Sequence, residues 1–129
     1  KDDFGNNVIS ARKSMNDLLA NSRIVLCTYP QTSFSEAMFS GVPTVMLYIQ
    51  EYWEVEDIYD ELIESLKRVN IIHTDAEKAA SHIQNIYDDP LKWWNSDDVV
   101  EARNTFNEIC LTESSDPIDD WHLFLSNAL

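Results

Sequence analysis

Ile24-Val25-Leu26-Cys27-Thr28, then Thr32-Ser33-Phe34-Ser35-Glu36-Ala37-Met38-Phe39-Ser40, then Gly41-Val42-Pro43-Thr44-Val45-Met46-Leu47-Tyr48 is the stretch that decides the fold. The first and last pieces are short continuous apolar runs, the pattern of strands covered on both faces. Tyr29-Pro30-Gln31 breaks the first run. A short helix fits Ser33–Ser40, stopped by Gly41 and by Pro43 two residues later. Pro43 stands at the first position of the second strand, where a missing N–H is tolerated.

Working outward, residues 6–20 place Val8, Ala11, Met15, Leu18 and Leu19 on one helical face. Val55, Ile58, Tyr59, Leu62, Ile63 and Leu66 form an apolar stripe, with Glu54, Asp57, Glu61 and Glu64 elsewhere around the same helix. Val69–His73 is a third short strand candidate. Thr74-Asp75-Ala76-Glu77 has capping-box spacing ahead of Ala79, Ala80, Ile83 and Tyr87. After Pro90 and the packing pair Trp93-Trp94, Ser96 is placed to cap a helix carrying Val99, Ala102, Phe106, Ile109 and Cys110, and a last short helix starts near Pro117. Strands alternating with helices predict a parallel sheet with right-handed crossovers. The expected fold is one Rossmann-like three-layer α/β domain over residues 1–129, with a short sheet of about three strands and extra C-terminal helices. Three strands make a thin sheet, and the chain opens Lys1-Asp2-Asp3 without Met. The expectation is therefore a C-terminal fragment of a larger two-domain protein.

Composition narrows the functions. With 23 acidic against 9 basic residues the formal charge is −14, a field that repels nucleic acid and anionic lipid, and no basic stripe counters it. The acidic clusters at Glu51–Glu64, Asp88–Glu101 and Glu113–Asp120 read as solvated helix faces and loops, and no metal site is expected. No apolar run approaches the roughly 20 residues that span a bilayer and nothing resembles a signal peptide, so the expected location is the cytoplasm. Cys27 and Cys110 match neither a zinc motif nor a disulfide framework and read as small buried hydrophobes. With only Gly5 and Gly41 in the chain, neither a G-x-G-x-x-G turn nor a Walker loop can be built, and there is no G-x-S-x-G or H-E-x-x-H. No cofactor is expected.

In open α/β sheets ligands bind beyond the carboxyl ends of the strands. The loop Thr28-Tyr29-Pro30-Gln31-Thr32-Ser33 offers hydroxyls and free N–H groups at a helix N-terminus, suited to phosphate, and Glu36 follows one turn later, in reach of a ribose. The competing reading is that Ser33-Phe34-Ser35-Glu36 is itself a capping box. A second loop, Tyr48-Ile49-Gln50-Glu51-Tyr52-Trp53-Glu54, has the aromatic density to stack on a base or sugar, or else Tyr48 and Trp53 plug the end of the sheet. His73 ends the third strand candidate, which makes it a candidate to face the ligand crevice, with an imidazole whose ordinary titration falls near neutral pH; His82 and His122 fall on helices.

Ser22–Thr28, Thr32–Ala37 and Gly41–Val45 together resemble the C-terminal half of GT-B-fold glycosyltransferases: a hydrophobic strand, a Ser/Thr-bearing turn, a helix with an internal Glu, then Gly-x-Pro leading into the next strand. Tyr52-Trp53-Glu54, Val69–His73, Ala79-Ala80 to Tyr87, Trp93-Trp94 and Ala102-Arg103 to Phe106 are similar to a poorly characterised bacterial family of surface-polysaccharide or sugar transferases. The similarity spans roughly residues 15–111. The resemblance implies a nucleotide-sugar donor site, with Thr32, Ser33 and the helix N-terminus on the donor phosphate and Glu36 on the ribose. Gly41 and Pro43 would be structural, and the acceptor's general base would belong to a missing N-terminal domain. Such sites often carry a Lys or Arg beside the phosphate, and none occurs between Arg23 and Lys67. Either the cation lies upstream of Lys1, or the donor carries a single phosphate, as CMP-linked sugars do. The alternatives are a non-catalytic α/β binding or assembly module whose acidic helices meet a basic partner, and an unrelated small-molecule enzyme using His73 as acid–base.

Overall fold

The structure is a computed structural model that describes residues 14–111 and 116–128. Its elements are α1 (Met15–Ala20), β1 (Val25–Cys27), α2 (Thr32–Ser40), β2 (Thr44–Leu47), α3 (Asp60–Arg68), β3 (Ile72–His73), α4 (Ala76–Ile86), α5 (Pro90–Trp94), α6 (Asp97–Cys110) and α7 (Pro117–Ala128). Two 3₁₀ turns, Gln50–Tyr52 and Asp57–Tyr59, lie between β2 and α3. The three strands form one parallel sheet in the order β1-β2-β3, with Cys27 opposite Met46 and Met46 opposite Ile72. This is the Rossmann-like α/β arrangement expected from the apolar runs. The helical pattern read over residues 6–20 starts outside the described residues; its described part is α1, capped by Ser14, whose hydroxyl accepts from the Asp17 N–H.

Because side chains alternate across a strand, the sheet sorts its neighbours. Met46 and Ile72 join Phe34 of α2, Leu62 and Leu66 of α3, and Phe106 of α6 in one buried cluster. Phe34 and Phe106 meet edge to face at 5.5 Å. His73 points to the other side, where α4 packs and the His82 ring lies 5.2 Å away. The chain passes between the two layers through α5. Trp94 there is 1% exposed, and Trp93 donates its indole N–H to the Val69 carbonyl at 3.0 Å. The Trp93-Trp94 pair is thus a packing anchor. Arg23 ties the start of β1 to the end of α4 by donating to the Tyr87 and Asp88 carbonyls.

Several local expectations are corrected. Helix α3 begins at Asp60, not near Val55; Glu56 is extended, and Ile58 is 75% exposed instead of continuing the stripe. Val55 instead packs against the core from extended chain, which buries it without helix. The third strand shrinks to Ile72–His73 because Val69-Asn70 close α3. Asn70 has φ 63°, its N–H donates to the Lys67 carbonyl at 3.1 Å, and the Ile71 N–H donates to Leu66 at 2.9 Å. That pair of bonds is a Schellman motif, with its usual apolar contact supplied by Leu66 and Ile71. Asn70→Gly should leave stability unchanged or slightly raised. Asn70→Val should lower it by about 1–2 kcal/mol, read from urea midpoints, because a β-branched residue is poorly suited to the left-handed region.

The cap of α4 is Asp75, which accepts from the Lys78 N–H at 2.8 Å, and not Thr74. Ser96 occupies the cap position of α6 but makes no cap bond, since its hydroxyl donates to the Trp93 carbonyl. Gly41 does end α2, at φ 77°. Cys27 is buried, and burial raises its thiol pKa, whereas Cys110 is exposed, contrary to expectation; both are free. No helix among the described residues is long and apolar enough to cross a membrane.

Candidate functional site

The carboxyl ends of β1 and β2 lead into the two loops singled out in the sequence, and folding brings them together. The Tyr29 and Trp53 rings stack with centroids 5.6 Å apart and planes 29° apart. Trp53 is held from behind: buried Tyr48 donates its hydroxyl to the Trp53 carbonyl at 2.9 Å. Tyr48 is therefore the plug, and Trp53 is the half-buried member of an aromatic shelf whose outer ring, Tyr29, is exposed.

Beside Tyr29 begins α2. The Ser33–Glu36 capping box does not form. The N-cap is Gln31, which makes no side-chain cap bond, and the helix starts one residue before Ser33 with Phe34 donating to the Gln31 carbonyl at 2.8 Å. Ser33 is consequently inside the first turn, where its backbone is helical and its hydroxyl cannot act as cap. Among the described residues nothing accepts from the Thr32 and Ser33 N–H groups, so two donors at the positive end of a nine-residue helix are left without a partner there. Thr28, Gln31, Thr32 and Glu36 are exposed and Ser33 is half-buried. Ser33→Ala and Glu36→Ala should each shift stability by less than about 0.5 kcal/mol, since neither side chain caps the helix. A loss near 1 kcal/mol in thermal or urea unfolding would restore the capping box.

His73 does not join this group. Its ring is buried, its Nε2 lies 3.0 Å from the Asn70 carbonyl, and its ring neighbour is His82. Burial lowers the His73 pKa, partly offset by the Asn70 carbonyl and by Asp75. His82 continues the column onto Trp93 at 4.7 Å, and burial, with a smaller contribution from His73, pushes its pKa down to about 4. The column lies on the α4 side of the sheet, and sequence reasoning missed it because its members come from β3, α4 and α5. No group of three or more His, Cys, Asp or Glu side chains able to hold a metal occurs among the described residues.

Behind the shelf, on the α2–α3 side of the sheet, lies a half-open pocket of ≈ 190 Å³. Pro30 and Ser35 stand on its border with the first loop, and its walls include Phe34, Tyr48, Ile63 and Phe106. Among the described residues no charged side chain lines it. No local pattern announces this space, because the same residues read as an ordinary core.

A short parallel sheet flanked by helices, with two loops meeting at its carboxyl ends, defines a Rossmann-like α/β domain. The chain belongs to the LIC12162 family of transferases: the model of the LIC12162 family transferase matches residues 1–125. No curated protein and no solved structure matches the chain.

Proposed function

We propose that this chain is the donor-binding half of a glycosyltransferase of bacterial surface-polysaccharide synthesis, working in the cytoplasm on a nucleotide sugar. The observation that carries the reading is the pairing of the Tyr29–Trp53 shelf with the uncapped start of α2. An aromatic face suits a base or sugar ring, and free N–H groups at a helix N-terminus suit a phosphate. In this reading Thr28, Gln31, Thr32 and Ser33 surround the donor phosphate, Glu36 accepts from the ribose hydroxyls, and Tyr29 and Trp53 stack on the nucleoside. His73 packs α4 onto the sheet and takes no part. Catalysis by such a site rests on electrostatic stabilisation of the departing nucleotide phosphate.

No Lys or Arg lies between Arg23 and Lys67, the stretch that holds both loops, which favours a donor with one phosphate, as in CMP-linked sugars. The acceptor's general base comes from another domain, and the 129-residue chain by itself is expected to show no turnover. Calorimetric titration with CMP, UMP, UDP and GDP tests the site. One nucleotide should bind, and Trp53→Ala should weaken it about 5–100-fold through loss of stacking. No binding by any of the four, or binding unaffected by Trp53→Ala, would overturn the assignment.

A second reading, an assembly module, is favoured by one observation. Helix α7 exposes Ile118, Trp121, Phe124 and Leu125, each by more than half. If that reading holds, Trp121→Ala changes the sedimentation behaviour of the chain and leaves nucleotide binding as it was.

A further inference from the structure

We propose that the ≈ 190 Å³ pocket behind the aromatic shelf is a binding site for an uncharged ring or short hydrocarbon group, separate from the site for the nucleotide. The size comes first. Close-packed interiors seldom keep voids larger than a water molecule, and an apolar cavity of about 150 Å³ is dry and takes up benzene. Here seven of the lining residues, among them Phe34, Met46, Leu66 and Phe106, are core residues buried to 6% exposure or less. On the pocket side these side chains meet water in place of protein contacts, because the pocket is half open. An occupant restores those contacts.

The chemistry of the walls selects the occupant. Among the described residues the polar side chains on the lining besides Cys110 are Ser35, Tyr48 and Tyr59, and the Tyr48 hydroxyl is already committed to the Trp53 carbonyl. A nucleobase or sugar brings several donors and acceptors, and burying them unpaired is unfavourable. An ion is worse still, since no charge faces it. What fits is an apolar group of roughly six to ten non-hydrogen atoms, judged by the volume that holds benzene. Its one polar attachment would leave past Ser35 and Pro30, towards the shelf. The proposal does not rest on the nucleotide reading, because it uses none of the groups assigned to the donor.

The test follows side-chain methyl signals of the whole chain by NMR during titration with indole and, separately, with 1-hexanol. At least one probe should shift Met46, Ile63 and Ile72 methyls saturably, and Val55→Phe, which adds a ring to the lining, should weaken that probe about tenfold or more, equivalent to 1.4 kcal/mol. Indole alone assigns the site to rings, hexanol alone to chains. If Val55→Phe does not fold, Ile63→Phe blocks the pocket from the α3 side. Nucleotide titration of the same samples keeps the two sites apart. The proposal is overturned if neither probe moves those methyls, or if the filled variant binds equally well. It is also overturned if binding appears only after Trp121→Ala, which would assign the pocket to the chain's own α7.

Discussion

Trp94→Ala is expected to lower the unfolding free energy by about 3–5 kcal/mol, the range for deleting a large buried aromatic. Trp94 is 1% exposed, contacts Trp93 at 5.4 Å, and carries the Arg103 guanidinium over its face at 4.1 Å. It is the point at which α5 leads the chain into α6, so the cavity left by alanine cannot close without moving both helices. The indole N–H is buried and has no hydrogen-bond partner. That predicts an asymmetry: Trp94→Phe should cost far less than Trp94→Ala, because it removes an unsatisfied donor while keeping most of the ring volume. Urea unfolding at constant pH measures both, and equal losses for the two variants would show that the N–H matters in a way the structure does not provide for.

The second large effect is on pH dependence. In the folded chain His82 is neutral down to about pH 4, whereas in the unfolded chain an imidazole protonates near its ordinary value of about 6.5. Between those values the unfolded state binds more protons, so stability rises with pH there. The contribution of neutral His82 is fully present above pH 6.5 and is lost progressively as the pH falls towards 4. His73, whose pKa is also lowered by burial, acts in the same direction. Because the His82 ring is partly open to solvent, the loss is on the order of 1–2 kcal/mol, well below what the shift would give without screening. Protonation of the many carboxylates in a chain of charge −14 adds its own slope. The informative quantity is therefore the difference between the wild type and His82→Phe, which keeps the ring contact with Trp93. That difference should narrow from pH 7 to pH 4 in favour of the variant; parallel curves would mean that His82 titrates normally.

What the sequence disclosed and what it withheld follow from the range of the interactions. β1, β2 and the stop at Gly41 were legible because each depends on its own few residues: an unbroken apolar run, or a position that needs positive φ. Val69-Asn70-Ile71-Ile72 misled because its β-branched residues favour a strand, while Asn70 in the left-handed region ends a helix there. The capping box at Ser33 failed by one residue: the helix starts at Thr32, and a cap works only from outside the first turn. The Tyr29–Trp53 stack, the His73–His82–Trp93 column and the pocket join residues far apart in the chain. No local pattern records them. The candidate site was thus half legible: its residues could be nominated from loops at strand ends, but the uncapped start of α2, the Tyr29–Trp53 shelf and the turn of the His73 ring towards His82 came only with the fold.

In the donor-site reading proposed above, the start of α2 receives the phosphate of a nucleotide whose base lies on the Tyr29–Trp53 shelf. Amide NMR shifts recorded with CMP and, in parallel, with cytidine test it most directly. CMP should move the Thr32 and Ser33 amides strongly, and cytidine should move the signals of Tyr29 and Trp53 but leave those two amides in place. If CMP and cytidine perturb Thr32 and Ser33 equally, or if neither perturbs the loop at all, the start of α2 is not a phosphate site and the claim fails.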